Sequence, residues 1–98
     1  MEIYLDKEKT TKAEFEINPI GFAILKKNLN YYVFGDARVM AYDKAEVEAS
    51  GDARVVAYDD ARVTASGDAE VDASGDVKVW AYGNAVVKTR GNAKVIRI

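Results

Sequence analysis

From Gly35 onward the chain reads GDARVMAY, DKAEVEAS, GDARVVAY, DDARVTAS, GDAEVDAS, GDVKVWAY, GNAVVKTR, GNAKVIRI, eight octads in unbroken register. One step back, KNLNYYVF (27–34) fits the same frame with larger residues, so nine octads account for 72 of the 98 positions. A unit that holds register over that length identifies a stacked-repeat architecture before any other feature is weighed. In a typical unit, positions three, five and seven are Ala, Val and Ala, as at Ala53, Val55 and Ala57, and positions four and six are mostly polar or variable. Period-two alternation about a central Val is the pattern of a half-buried strand. A helix would place that Val on the face opposite the two Ala residues. Positions one and two are mostly Gly-Asp, Asp-Asp or Gly-Asn, residues that accept the dihedrals of a tight corner.

Position one also counts the octads in a coil. Taken every second unit, Gly35, Gly51, Gly67 and Gly83 fall on one line, and Lys27, Asp43, Asp59, Gly75 and Gly91 on the other. At position eight, Tyr42 and Tyr58 separate from Ser50 and Ser66 in the same way. The expected fold is therefore all-β: a flattened two-sheet β-solenoid of about 16 residues per coil. Three octads per coil, or three chains wound together, would blur the alternation. Facing rows of Ala-Val-Ala suit sheets closer than the usual ~10 Å, and four and a half coils at about 4.8 Å predict a rod of about 22 Å.

Such a stack needs caps. Residues 1–26 read as the amino-terminal cap, and residues 27–98 as the solenoid of one structural domain. EIYLD (2–6), AEFEI (13–17) and GFAIL (21–25) alternate as strands, and Asn18-Pro19 breaks the chain between the last two. A short helix from Pro19 with Asn18 as its N-cap competes with the third strand, but octad register from Lys27 would cut it short. Leu29, Tyr31 and Val33 are expected to fill a wider first rung beneath the cap. At the other end the repeat runs to Ile98, which leaves the last rung as an open edge that recruits strands unless protected. Arg97 falls at position seven, an inward place, as a candidate gatekeeper charge. Protection by twist and charge, and end-to-end homodimerisation through this carboxyl-terminal rung, both remain open.

The units GDARVVAYDDARVTAS and their neighbours resemble the octapeptide-repeat β-solenoid segments of bacterial and bacteriophage proteins, and GFAILKKN (21–28) looks like the lead-in of such arrays. The resemblance spans 27–98 and implies a β-solenoid of phage or mobile-element origin, and the expected location, with no Cys and no signal peptide, is the cytoplasm of a host bacterial cell. It implies no activity, because such arrays share no catalytic motif, and fold analogy alone is weak evidence of function.

Composition narrows the chemistry. The chain has no Cys and no His, which excludes a disulfide framework, a thiolate nucleophile, a Cys/His zinc site and a His general base. No catalytic residue, cofactor or metal site is expected, and the chain is read as a non-enzyme. Its apolar stretches are too short for a membrane span or a signal peptide. Glycines recur at corner spacing and form no phosphate-binding loop. Calcium would need six to eight oxygens per ion, whereas stacked corners offer one carboxylate each, with Asp36, Asp52 and Asp68 on one edge and Asp60 and Asp76 on the other. Each corner Asp is expected instead to accept its own corner's backbone N–H groups.

Charge is distributed unevenly. Residues 43–76 hold ten acids (Asp43, Glu46, Glu48, Asp52, Asp59, Asp60, Asp68, Glu70, Asp72, Asp76) against three bases, whereas residues 77–98 hold five bases (Lys78, Lys88, Arg90, Lys94, Arg97) and no acid. A solvated surface explains this in part. A ladder of negative charge on a rigid body also suits the nucleic-acid-binding groove of another protein. The acidic waist argues against direct binding of nucleic acid. A second surface is apolar: Met40, Tyr42, Val56 and Tyr58 line up on one sheet, and Trp80, Tyr82, Ile96 and Ile98 on the other. Aromatic ladders stabilise exposed sheets, and aromatic residues and Met also mark interface centres. The expected function is a binding protein of anti-CRISPR or anti-restriction type that blocks a nucleic-acid-handling host protein. The rival is a self-assembling fibre or scaffold module.

Overall fold

The computed structural model describes residues 1–98 and is all-β, with twelve strands in two six-stranded sheets. In chain order they are β1 (Glu2–Tyr4), β2 (Glu16–Ile17), β3 (Ala23–Leu25), β4 (Asn30–Phe34), β5 (Arg38–Ala41), β6 (Glu46–Ala49), β7 (Arg54–Ala57), β8 (Arg62–Ala65), β9 (Glu70–Ala73), β10 (Lys78–Ala81), β11 (Val86–Thr89) and β12 (Lys94–Arg97). Sheet A runs β1-β4-β6-β8-β10-β12 and sheet B runs β2-β3-β5-β7-β9-β11. From β3 onward strands alternate between sheets, and Arg38 lies opposite Arg54, and Glu46 opposite Arg62, each displaced by 16 residues. Two octads therefore make one coil, and the five parallel strands of each sheet make a β-solenoid of five coils.

The stack starts one strand before the first clear octad. β3 pairs in parallel with β5, Ala23 opposite Val39, so a strand within the expected cap region already belongs to the first coil. The shape is a short block: the extents are 32 × 25 × 23 Å, and five strand spacings of about 4.8 Å account for only ~24 Å along the stack.

Positions three, five and seven build the core as ladders. Ala37, Ala53 and Ala69, Val39, Val55 and Val71, and Ala41, Ala57 and Ala73 stack along sheet B, and Val47, Val63 and Val79 along sheet A, all buried. Each ladder repeats one side-chain shape every coil, so one packing solution serves the whole stack. No polar or charged side chain is buried.

The corners turn on a left-handed first residue from Gly35 to Gly91, Asp43 and Asp59 included, with φ of 56° and 61° at those two. At Gly51 the φ of +69° coincides with close stacking, because a Cβ there would lie 3.1 Å from the Gly35 carbonyl oxygen. The corners also hydrogen-bond from coil to coil: Asp52 N–H donates to Gly35 O and Asp60 N–H to Asp43 O, both at 3.0 Å.

The amino-terminal edges of both sheets are covered by antiparallel strands, β1 on β4 and β2 on β3. Asp6 folds the segment after β1 back, accepting from the N–H groups of Thr10 and Thr11 at 3.0 Å each and from the Thr10 hydroxyl. Ala13 N–H then reaches Ile3 O at 3.0 Å. No helix starts at Pro19. The Asn18 side chain instead accepts from Ile20 N–H (3.1 Å) and Phe22 N–H (2.9 Å), holding a turn that leads into β3. Tyr31 and Val33 fill the first rung, but Leu29 is 42% exposed. The reason is the length of the cap strand: β1 pairs only with Tyr32 to Phe34 and leaves the start of β4 uncovered.

β11 and β12 are the outer strands at the far end. There the Arg97 guanidinium donates to Ala85 O at 2.7 Å.

Candidate functional site

With the core spent on Ala and Val, chemistry is confined to the outward positions four, six and eight and to the corners. The ten acids of the waist do not share one face. Asp43, Asp59, Asp60 and Asp76 lie on the corners that lead from sheet B into sheet A, and Asp52 and Asp68 on the opposite corners. Glu46 and Glu48 project from sheet A, and Glu70 and Asp72 belong to sheet B. The acidic waist read from the sequence is thus a belt around the block, since each octad turns the chain to the other side.

Ion pairing divides the belt further. Arg54 Nε lies 3.1 Å from Glu70, and Arg90 lies 3.7 Å from Asp72, so the sheet B acids have cationic partners. The other eight form no ion pair within 4.0 Å. Six of these lie on the B-to-A corners and the adjoining part of sheet A, interleaved there with Lys44, Arg62 and Lys78. Asp59 accepts from Asp43 N–H one coil away at 3.1 Å. That bond runs between corners, and none of the corner carboxylates of Asp36, Asp52, Asp60, Asp68 and Asp76 accepts the N–H of its own corner that the sequence suggested. No group of three acidic side chains is arranged to hold a metal ion.

The apolar residues form two patches on opposite sides. Met40 and Val56 are neighbours on sheet B, and the Tyr42 and Tyr58 rings beside them stack with centroids 5.0 Å apart and planes 14° from parallel. Asn18 reaches Met40 Sδ at 3.1 Å, which ties the cap turn to this patch. On sheet A, Trp80 lies opposite Ile96, with Tyr82 and Ile98 at the ends of the same rungs. Tyr82, Ile96 and Ile98 are 40%, 51% and 66% exposed.

The main surface cavities all lie along sheet A and its B-to-A corners. A polar groove of about 920 Å³ runs between the corner column Lys44, Asp60, Asp76 and the strand column Glu46, Arg62, Lys78. Two smaller cavities, about 240 and 250 Å³, adjoin it over β6 and β8. Their floor carries Glu48, Thr64, Ser50 and Ser66; Trp80 stands at one end, and Tyr32 and Phe34 at the other. The sequence held the signal for this trough, because position eight of sheet A runs Phe34, Ser50, Ser66, Tyr82 and position six runs Tyr32, Glu48, Thr64, Trp80, with the aromatic residues at the two ends. Phe34 is held in place by an edge contact with Tyr4 (6.1 Å) and by Lys9 Nζ 4.5 Å from its ring centroid.

Two ionisable groups are perturbed, both near the cap. The hydrogen bond from the Thr10 side chain, helped by the Thr11 N–H, holds the Asp6 carboxyl below its usual range. Burial pushes the Tyr31 phenol up. Neither lies among the acids of the belt. Comparison with known protein families, curated proteins and solved structures finds no match to this chain.

Proposed function

We propose that this chain is a non-enzymatic binding protein of phage or mobile-element type. It blocks a nucleic-acid-handling host protein by occupying that protein's nucleic-acid groove. The observation that carries the reading is the set of unpaired acids on the B-to-A corners and on sheet A. Asp43, Asp59, Asp60, Asp76, Glu46 and Glu48 lie on one side of a rigid block without an ion pair within 4.0 Å. Asp43 and Asp59, and Asp60 and Asp76, stack one coil apart at about 4.8 Å, and a groove built for phosphates attracts such stacked charges. Rigidity helps, because the acids need no ordering when they dock.

The test is capture from a bacterial lysate on the tagged protein. A nucleic-acid-handling protein should be retained at low salt and released at high salt, since exposed charge contacts are screened. Substituting Asp60→Asn, Asp76→Asn and Glu48→Gln together should abolish that capture, whereas Glu70→Gln, already paired with Arg54, should change it little. Capture that survives the triple substitution would sink the reading.

A second reading, assembly end to end through the last rung, has the unpaired backbone edges of β11 and β12 in its favour, with Val86 and Val95 exposed beside them. The basic residues of that rung (Lys88, Arg90, Lys94 and Arg97) act against it, since two such ends repel.

A further inference from the structure

We propose that two copies of this chain pair face to face through the outer surface of sheet A, about a two-fold axis parallel to the strands and passing over β8. Such a rotation keeps every octad position and reverses the order of coils. β10 of one copy then lies over β6 of the other, β12 over β4, and β8 over itself. Shape, charge and apolar surface all match in that register.

Trp80 and Tyr82 form a ridge, and the rotation sets them over Glu48 and Ser50 of the second copy, in the trough between its own aromatic walls. The two cavities there measure about 240 and 250 Å³. A cavity of about 150 Å³ already holds a benzene ring. Lys78 comes over Glu46, and neither has an ion-pair partner within its own chain. Ile96 and Ile98 come over Tyr32 and Phe34, which covers two of the most exposed aliphatic side chains in the protein. Two kinds of contact are unfavourable: Arg62 meets its own mate on the axis, with Glu46 of its own copy one coil away to offset the repulsion, and Trp80 comes over the Glu48 carboxylate, which has no cationic partner.

The other two-fold rotation that brings sheet A face to face has its axis along the stack. It keeps coil order, so ridge meets ridge, and the Glu46–Glu48 pair meets its own copy. That arrangement fits neither shape nor charge. The five strands, about 4.8 Å apart, with four residues of about 3.3 Å each, give a flat footprint near ~300 Å² per copy. This is below the ~800 Å² per partner of a standard interface, so the pair should be weak and transient. Pairing also brings the Asp60 and Asp76 corners of both copies to the same flank. Pairing covers Glu46 and Glu48, so in the dimer the charge-mimicry reading rests on the corner acids Asp43, Asp59, Asp60 and Asp76, which stay outside the paired strands.

Sedimentation velocity across the micromolar range, with emission from the sole Trp as a local reporter, tests it. The wild type should pass from monomer to dimer, and Trp80 emission should shift to shorter wavelength as it does. Glu46→Lys and Lys78→Glu should each weaken pairing about tenfold or more, and the two together should restore it, as expected of a direct charge pair. Ser50→Trp, which fills the place meant for Tyr82, should abolish pairing without any change of charge. These positions face outward, and circular dichroism of each variant checks that the sheets persist. A monomer across the whole range overturns the proposal. So does a dimer indifferent to the Glu46 and Lys78 exchanges.

Discussion

The Arg97 guanidinium closes the last coil by donating from Nη2 to the carbonyl of Ala85, 2.7 Å away. In each earlier coil, the equivalent carbonyl accepts from the coil above: Ala37 O from Arg54 N–H, Ala53 O from Glu70 N–H and Ala69 O from Val86 N–H. Arg97 therefore supplies, from a side chain, the bond that a further strand would make. It leaves from sheet A at an inward position and ends on sheet B, so its stem lies across the end of the core. An inward charge of this kind is a recognised defence of a sheet edge.

Arg97→Ala should cost about 0.5–1.5 kcal/mol, the net value of one hydrogen bond, measured by urea denaturation. It should also leave Ala85 O free and remove one repulsive charge from the end. Association that appears only in this variant, and resists Glu46→Lys, would identify the end rung as a latent contact. A variant as stable as the wild type would show that the bond contributes nothing.

Two corner glycines separate conformational strain from crowding. Gly51 and Gly83 both have left-handed φ, +69° and +60°, but a Cβ would meet backbone at 3.1 Å at Gly51 and only at 3.7 Å at Gly83. Either change to Ala carries the left-handed penalty of about 1 kcal/mol. Gly51→Ala should cost about 1–2 kcal/mol more than Gly83→Ala, because coil stacking must give way there. Equal costs in thermal unfolding would mean that the corners have slack.

Most of this scaffold was legible in the octads. The alternation of Gly35, Asp43, Gly51 and Asp59 at position one separated the two edges of the coil, and the register of β5 with β7 follows from it. Tyr42 and Tyr58 could be placed side by side for the same reason. The cap was less legible, since its shape depends on the short reach of β1 and on the bonds Asp6 makes to Thr10 and Thr11. Local sequence shows neither why Leu29 stays outside nor where the side chain of Arg97 ends. The acids were found by counting, but their division into paired and unpaired sets arises only when coils stack, as when Arg54 comes beside Glu70.

Core size should be constrained in both directions. Val55 is 1% exposed and Ala57 fully buried, in ladders that repeat through every coil. Val55→Ala should destabilise by about 2–3 kcal/mol through lost burial and a cavity. Ala57→Leu should cost at least about 1–3 kcal/mol, since small position-seven residues let the sheets approach and an added isobutyl group forces them apart. Denaturant titration of both variants is the check, and tolerance of Ala57→Leu would show that the sheets can separate locally.

Alkaline pH should lower the protein's stability in part through Tyr31 in the first rung. Burial raises the Tyr31 phenol above its ordinary value of 10.0, opposed only by a hydrogen bond with the backbone at Lys27. The unfolded chain therefore ionises at this residue before the folded one does. Above pH ~10 the unfolded state binds fewer protons than the native state, and stability falls until the folded phenol also ionises. Tyr31→Phe keeps the ring that fills the rung and removes the titrating group, so stability measured from pH 8 upward should lose part of its alkaline decline in this variant. An unchanged decline would show that Tyr31 does not contribute to it.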